Sequence, residues 1–303
     1  MGSYGKKEDN AAELMSHFSH LKIADALASY EEADYVIFGA PFDNTSSFRR
    51  GSRLAPNSIR FAYDNLESYE VNYGINLLDA KICDLGDLPV YEDVDYILSE
   101  VETVTSTIFR DKKIPIMLGG EHSLTVGALW NLRDVSMVII DAHSDFRDSY
   151  MDNKYNHACV TRRALELLGK NRIISIGTRS TSYEEVTADE YKDVRFISAN
   201  EVRQSGIDKI IDEVKNKTGD KVYFSIDMDG IDPAYAPGVG TPEPYGLTDV
   251  DVRSILNSVS KKIVGYDIVE MTPLYDNGNT SMLAAKLIQD FIASRASTTS
   301  MGP

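Results

Sequence analysis

Three short clusters hold most of the side chains in this sequence that could bind a metal ion or move a proton. One is Asp141-Ala142-His143-Ser144-Asp145, directly after the apolar run Met137 to Ile140. In extended backbone its ligand-type side chains, at i, i+2 and i+4, point the same way. Two carboxylates sharing a half-buried position repel each other, and a divalent cation between them removes the conflict. A polar loop that alternates by chance, recruiting Asp for caps and turns, is the competing explanation. A second cluster, Asp227-Met228-Asp229-Gly230-Ile231-Asp232-Pro233, ends another apolar run with two carboxylates at i, i+2 and a glycine that permits an abrupt turn. Asp232-Pro233 reads as the turn itself. The third, Gly119-Gly120-Glu121-His122-Ser123, has paired glycines for a tight turn that brings Glu121 and His122 to the start of a helix.

Of five histidines, His122, His143 and His157 follow predicted strands or lie in the loop one leads into. His17 and His20, three apart in an early helical segment, carry no such signal. Together His122, Asp141, His143, Asp145, Asp227 and Asp229 supply two imidazoles and four carboxylates, enough for two divalent ions. Four carboxylates against two such ions sum to about zero, and a bridging hydroxide leaves about −1, which suits a cationic substrate. Oxygen-rich ligation without thiolate points to Mn2+, with Co2+ or Zn2+ as substitutes because imidazole is present.

The elements that must position these groups follow from the hydrophobic pattern. Short β-branched runs at 34–39, 80–83, 114–118, 136–141, 172–176, 194–197, 222–227 and 263–268 predict eight strands. Helical spacing at 56–66, 94–109, 122–132, 157–168, 207–217, 249–260 and 280–294 separates most of them, with an early helix over 11–30. Such alternation implies right-handed crossovers and a mostly parallel sheet covered on both faces, with ligands gathering outside the carboxyl ends of the strands. No Pro/Gly/Ser linker interrupts the pattern, so residues 1–303 are expected to form one α/β domain, with flexible tails over about 1–10 and 297–303.

Composition narrows the function classes. With 31 Lys and Arg against 47 Asp and Glu, the net charge is −16, which disfavours nucleic acid and anionic membrane as partners. No apolar stretch approaches the ~20 residues of a membrane-spanning helix. The two cysteines, Cys83 and Cys159, make a disulfide framework improbable, and with no signal-peptide pattern in MGSYGKKEDN the expected location is the cytoplasm.

Taken together, GGEHS at 119–123, DAHSD at 141–145, SIDMDGIDP at 225–233, GTPEPYGLT at 240–248, DIVEMTPLYD at 267–276 and the early segment at 39–60 resemble the ureohydrolase family of binuclear manganese enzymes, arginases and agmatinases, and most closely its agmatinase branch. The resemblance implies a three-layer α/β/α sandwich around an eight-stranded sheet, and assembly as a homo-oligomer, a trimer or hexamer. It further implies His122, Asp141, Asp145 and Asp227 around one manganese and Asp141, His143, Asp227 and Asp229 around the other. The chain departs from the family where Arg49-Arg50-Gly51 replaces Arg-Pro-Gly and Met271-Thr272-Pro273 replaces Val-Asn-Pro, away from any expected ligand.

The chemistry expected is attack of a metal-bridging hydroxide on a guanidinium carbon, giving urea and an amine. Asp145 would hold the tetrahedral intermediate, Glu270 would orient the guanidinium, and His157, of the residue type that exchanges protons near neutral pH, would protonate the departing amine. Agmatine is the expected substrate, yielding putrescine and urea, because acidic residues in the 146–156 loop, Asp148 and Asp152, suit a second positive charge. Arginine or guanidinobutyrate are alternatives, with Arg147 able to receive a carboxylate. Asp227-Met228-Asp229-Gly230 also resembles the DxDG loop of haloacid dehalogenase-like phosphatases, but that reading leaves the histidines idle. A ureohydrolase-like protein that binds metal without turnover is the remaining alternative.

Overall fold

Along each central strand the buried apolar residues divide between two faces, as the two-residue period of extended chain requires. On the strand Ser136–Ile140, Met137 and Ile139 enter one core while Val138 and Ile140 enter the other. The computed structural model describes residues 21–297. In chain order its strands are β1 (Tyr35–Ala40), β2 (Tyr69–Glu70), β3 (Ile75–Asn76), β4 (Ile82–Asp87), β5 (Ile114–Gly119), β6 (Ser136–Ile140), β7 (Ile173–Thr178), β8 (Arg195–Ser198), β9 (Val222–Asp227) and β10 (Ile263–Val269). β2 and β3 pair as a small antiparallel hairpin. The other eight form one parallel sheet in the order β4-β1-β5-β10-β9-β6-β7-β8.

Helices cover both faces. Ala55–Tyr63, Ala199–Ser205, Ile207–Lys217, Asp249–Val259 and Asn279–Ala296 pack on one side. Val94–Arg110, Leu124–Leu129 and Val160–Leu168 pack on the other, completing the three-layer sandwich. After β5 the chain leaves two positions open before laying down β6, β7 and β8, and β9 and β10 later fill the gap. The four middle strands β5-β10-β9-β6 therefore end side by side, and the crevice outside their carboxyl ends is where such sheets bind ligands.

Several elements differ from expectation. In the segment read as an early helix, residues 11–20, with His17 and His20, lie outside the described residues. Residues 21–30 are not helical but run along the edge strand β4, where Ile23 N donates to Asp84 Oδ2 (2.9 Å) and Ala28 N to Ile82 O (3.0 Å). β4 itself continues to Asp87, because an edge strand tolerates the polar run from Asp84 that hides it from an apolar count. The helix expected over 122–132 shortens to Leu124–Leu129, since residues 120–123 are spent on the site. A 3-10 turn, His157–Cys159, precedes Val160–Leu168. Ser297, placed in a flexible tail, is buried, and its carbonyl accepts from Lys261 Nζ (2.5 Å); residues 1–10 and 298–303 lie outside the described residues. Cys83 and Cys159 are free and buried, and no helix among the described residues is long and apolar enough to cross a membrane.

Candidate metal centre

β5, β6, β9 and β10 each deliver a part of the site at their carboxyl ends. Glycines let the loops close on one another, and here the reason is approach, not turning. A Cβ at Gly120 would lie 1.8 Å from Phe42 O, and one at Gly230 would lie 2.7 Å from Asp141 N. Neither glycine has a positive φ.

The expected same-side projection from extended chain also needs correction. β6 stops at Ile140, Asp145 adopts φ +45°, and Asp229 sits in the 3-10 turn Met228–Gly230. What aims the carboxylates is a pair of Asx turns. Asp141 Oδ1 accepts from His143 N (2.6 Å) and Asp227 Oδ1 from Asp229 N (2.9 Å), leaving the second oxygen of each carboxylate turned inward.

Those second oxygens meet His122. Its Nδ1 lies 3.3 Å from Asp141 Oδ2, 3.3 Å from Asp145 Oδ2 and 3.3 Å from Asp227 Oδ2. Yet Nδ1 and Asp141 Oδ2 are both buried without a hydrogen-bond partner. Donors about 2.0–2.2 Å from a common ion stand at roughly this spacing, so the orphaned pair fits a cation. A second group, Asp141, His143 and Asp229, shares Asp141 with the first; His143 Nδ1 is 3.1 Å from Asp229 Oδ2. All six expected ligands thus converge.

Electrostatics give the same picture. Burial, with Asp145 nearby, pushes the Asp141 carboxyl up to about 7, and burial beside Asp229 and Asp141 raises Asp227 well above its usual range. Burial alone would lower His143, but Asp229 and Asp141 carry it up to about 11. Asp229 is held low against its own burial by the charge of His143. Without a cation the cluster must hold protons in its place, so metal binding releases them.

Glu270 stands just past β10 in a left-handed backbone conformation (φ +60°), and its Oε1 accepts from His122 N (2.7 Å). Burial, with Glu121 nearby, raises its carboxyl. Asp145, Glu270 and His157 line one cavity of about 250 Å3 with His143, Asp227 and Asp229.

The arginase family profile matches residues 33–293. The chain belongs to the arginase family. A crystal structure of agmatine ureohydrolase from Thermoplasma volcanium is 64% identical, with TM-score 0.91 over 94% of this chain and 97% of that one. The agmatinase of Pyrococcus horikoshii is 40% identical over 263 residues, 85% of this chain and 90% of the relative. The N(1)-aminopropylagmatine ureohydrolase of Thermococcus kodakarensis is 38% identical over 283 residues, 91% and 96% of the two chains. The protein is accordingly a ureohydrolase of the metal-dependent arginase type, and the phosphatase reading of the Asp227 loop falls.

This arginase-family chain also uses residues that the sequence reading passed over. His122 Nε2 lies 3.1 Å from Ser225 Oγ, which donates to Asp267 Oδ1 (2.5 Å); Asp267 also accepts from Tyr223 Oη (2.6 Å) and Thr125 Oγ1 (2.9 Å). With the Ser225 hydroxyl proton directed at Asp267, Ser225 Oγ accepts from Nε2–H, leaving Nδ1 bare toward the carboxylates. Thr241 Oγ1 donates to Asp229 Oδ2 (2.8 Å). Ser225→Ala is expected to weaken metal affinity about 10–100-fold while leaving the fold intact, measured by metal titration of stripped protein.

The substrate-facing wall differs from expectation. Asp148 is not in the cavity but pairs with Arg163 (2.9 Å) and Arg162 (3.4 Å), and Asp152 does not line it either. Arg147 does, but its guanidinium lies over the Tyr150 ring (5.2 Å) and 3.9 Å from Glu184. Lys154 lies over Tyr155 (4.8 Å). Ser180, Thr181, Ser182 and Glu185 supply a further part of the wall. The polar run after β7 was the available signal, at the same sheet edge that drew attention to the others.

Proposed function

We propose that this protein hydrolyses the guanidino group of agmatine to urea and putrescine, served by two manganese ions. The observation that carries the reading is the cluster of five buried residues and the half-buried His143, opening on a cavity whose lining arginine, Arg147, is already engaged. Divalent metal there supplies a water-derived nucleophile near neutral pH and withdraws developing charge. His122, Asp141, Asp145 and Asp227 would hold one ion and Asp141, His143, Asp227 and Asp229 the other.

Glu270, with one oxygen taken by His122 N, uses the other to accept from guanidinium nitrogens and so presents the planar carbon for attack. Asp145 accepts a hydrogen bond from the resulting tetrahedral centre. The bond from that carbon to the tail nitrogen then breaks, its electron pair leaves with nitrogen, and His157 delivers the proton that completes putrescine.

Manganese suits the oxygen-rich ligand set, with Co2+ or Zn2+ as substitutes. Burial, reinforced by the charge of Asp145, pushes the Cys159 thiol up to about 12, and Cys159 is not among the residues that line the cavity. A homo-oligomer, trimer or hexamer, and a cytoplasmic setting complete the proposal.

Agmatine lacks the carboxylate of arginine and guanidinobutyrate, and Arg147, facing Tyr150 and Glu184, gives such a carboxylate no unpaired anchor. Glu185 adds an acidic wall; burial opposes its charge, but the Ser182 N–H and the other donors bonded to it hold its carboxyl below the usual range. That wall also favours an aminopropyl-extended agmatine, the substrate in the Thermococcus relative's name. Agmatine is expected to exceed arginine by at least about tenfold in kcat/KM, ~1.4 kcal/mol in transition-state binding. Urea release from agmatine, N1-aminopropylagmatine, arginine and guanidinobutyrate measures it. Equal or reversed agmatine and arginine values would move the protein to the arginases.

A further inference from the structure

We infer that Glu121 and Thr45 form a positioning relay that sets which nitrogen of His157 exchanges the proton. This rests on the proposed role of His157. Glu121 is fully buried at the end of β5, and its carboxylate is crowded with donors. Oε2 accepts from Thr45 N (2.8 Å), Ser46 N (3.0 Å) and Ser46 Oγ (3.3 Å), and Oε1 from Ser123 Oγ (2.6 Å) and from Thr45 Oγ1. Glu121 N also donates to Phe42 O (2.8 Å), at the point where Gly120 leaves room for the early loop. A single buried carboxylate thereby ties the 42–46 loop to the strand that carries His122.

Proton counting then fixes the ring. The hydroxyl of Thr45 has one proton, and it points at Glu121. Toward His157 the same oxygen can only accept, and it is approached by His157 N (3.0 Å) and by Nδ1 (3.3 Å). The neutral imidazole therefore carries its proton on Nδ1 and keeps its lone pair on Nε2. Nε2 lies 3.4 Å from Ser47 Oγ, and both residues line the cavity, so the exchanging nitrogen lies on the cavity side of the ring. The Tyr150 ring, edge-on with centroids 5.9 Å apart, limits ring rotation. A protonated ring still donates from Nδ1 to Thr45, so the relay holds in both states and only Nε2 changes.

The two N–H bonds from Thr45 and Ser46 to Glu121 hold the loop without the Thr45 hydroxyl, which makes Thr45→Val a selective cut. The test compares the manganese-loaded protein with Thr45→Val, Thr45→Ser, His157→Ala and the Thr45→Val/His157→Ala pair, scoring kcat, KM and metal content with agmatine. Thr45→Val is expected to lower kcat about 10–100-fold with KM within about twofold and both ions retained. Thr45→Ser should restore kcat, and in the His157→Ala background the valine should cost nothing further. Thr45→Ala repeats the measurement if valine disturbs the loop. A Thr45→Val kcat within twofold of the parent, a loss that persists without His157, or lost metal would overturn the relay. Full turnover by His157→Ala would instead remove the proposed proton donor, and the relay with it.

Discussion

Stripped of metal by a chelator, the protein is expected to lose urea release from agmatine entirely and to regain it with Mn2+ at close to two ions per chain. The reason is the buried cluster: Asp141, Asp227 and Asp229 are almost completely inaccessible, and among the described residues no lysine or arginine forms an ion pair with their carboxylates. Ions that bind the folded state alone also stabilise it, so Tm should rise on reloading. The pH dependence has a definite sign. A carboxyl raised by burial, as Asp141 is from 3.8 to about 7, contributes stability that is complete below the lower value and lost as pH rises through the upper one. Over that window the metal-free protein weakens while its metal affinity grows, because fewer protons remain to displace. Metal analysis by mass spectrometry and melting curves at pH 5 and 8 check both statements. Saturation at one ion, or turnover indifferent to chelation, would defeat the binuclear assignment.

His157→Ala should lower kcat by ~10²–10⁴ with both ions in place, whereas His143→Ala should lose metal. The two histidines lie on the same cavity but in different company. His143 Nδ1 is 3.1 Å from Asp229 Oδ2, while His157 Nδ1 meets the Thr45 hydroxyl at 3.3 Å and Nε2 the Ser47 hydroxyl at 3.4 Å. Hydroxyls of that kind leave a proton free to move and offer a divalent ion little charge. Metal content beside single-turnover rates separates the cases, and an alanine at 157 that emptied the site would reverse the assignment.

Much of this was legible in the chain itself, for identifiable reasons. Parallel strands buried on both faces read as apolar runs, so strands such as 136–140 and 222–227 stood out, and ligand-type side chains clustered just beyond them had few structural explanations. Other parts were hidden. β4 continues through Asp84 to Asp87 because an edge strand needs no apolar pattern. Asp148 looked like a cavity wall because spacing does not reveal that Arg163 turns it away.

The sequence by itself determined the α/β alternation, the six ligand-type side chains and their oxygen-rich chemistry, because these depend on residue type and short-range period. Only the tertiary structure decided what surrounds them. That His122 turns Nδ1 toward three carboxylates depends on Ser225 and Asp267, one hundred or more residues away, and that His157 exposes Nε2 depends on Thr45, 112 residues away. Hydrogen-bond partners across such separations meet only when parallel strands settle side by side, and a pattern read along one strand carries no record of its neighbour.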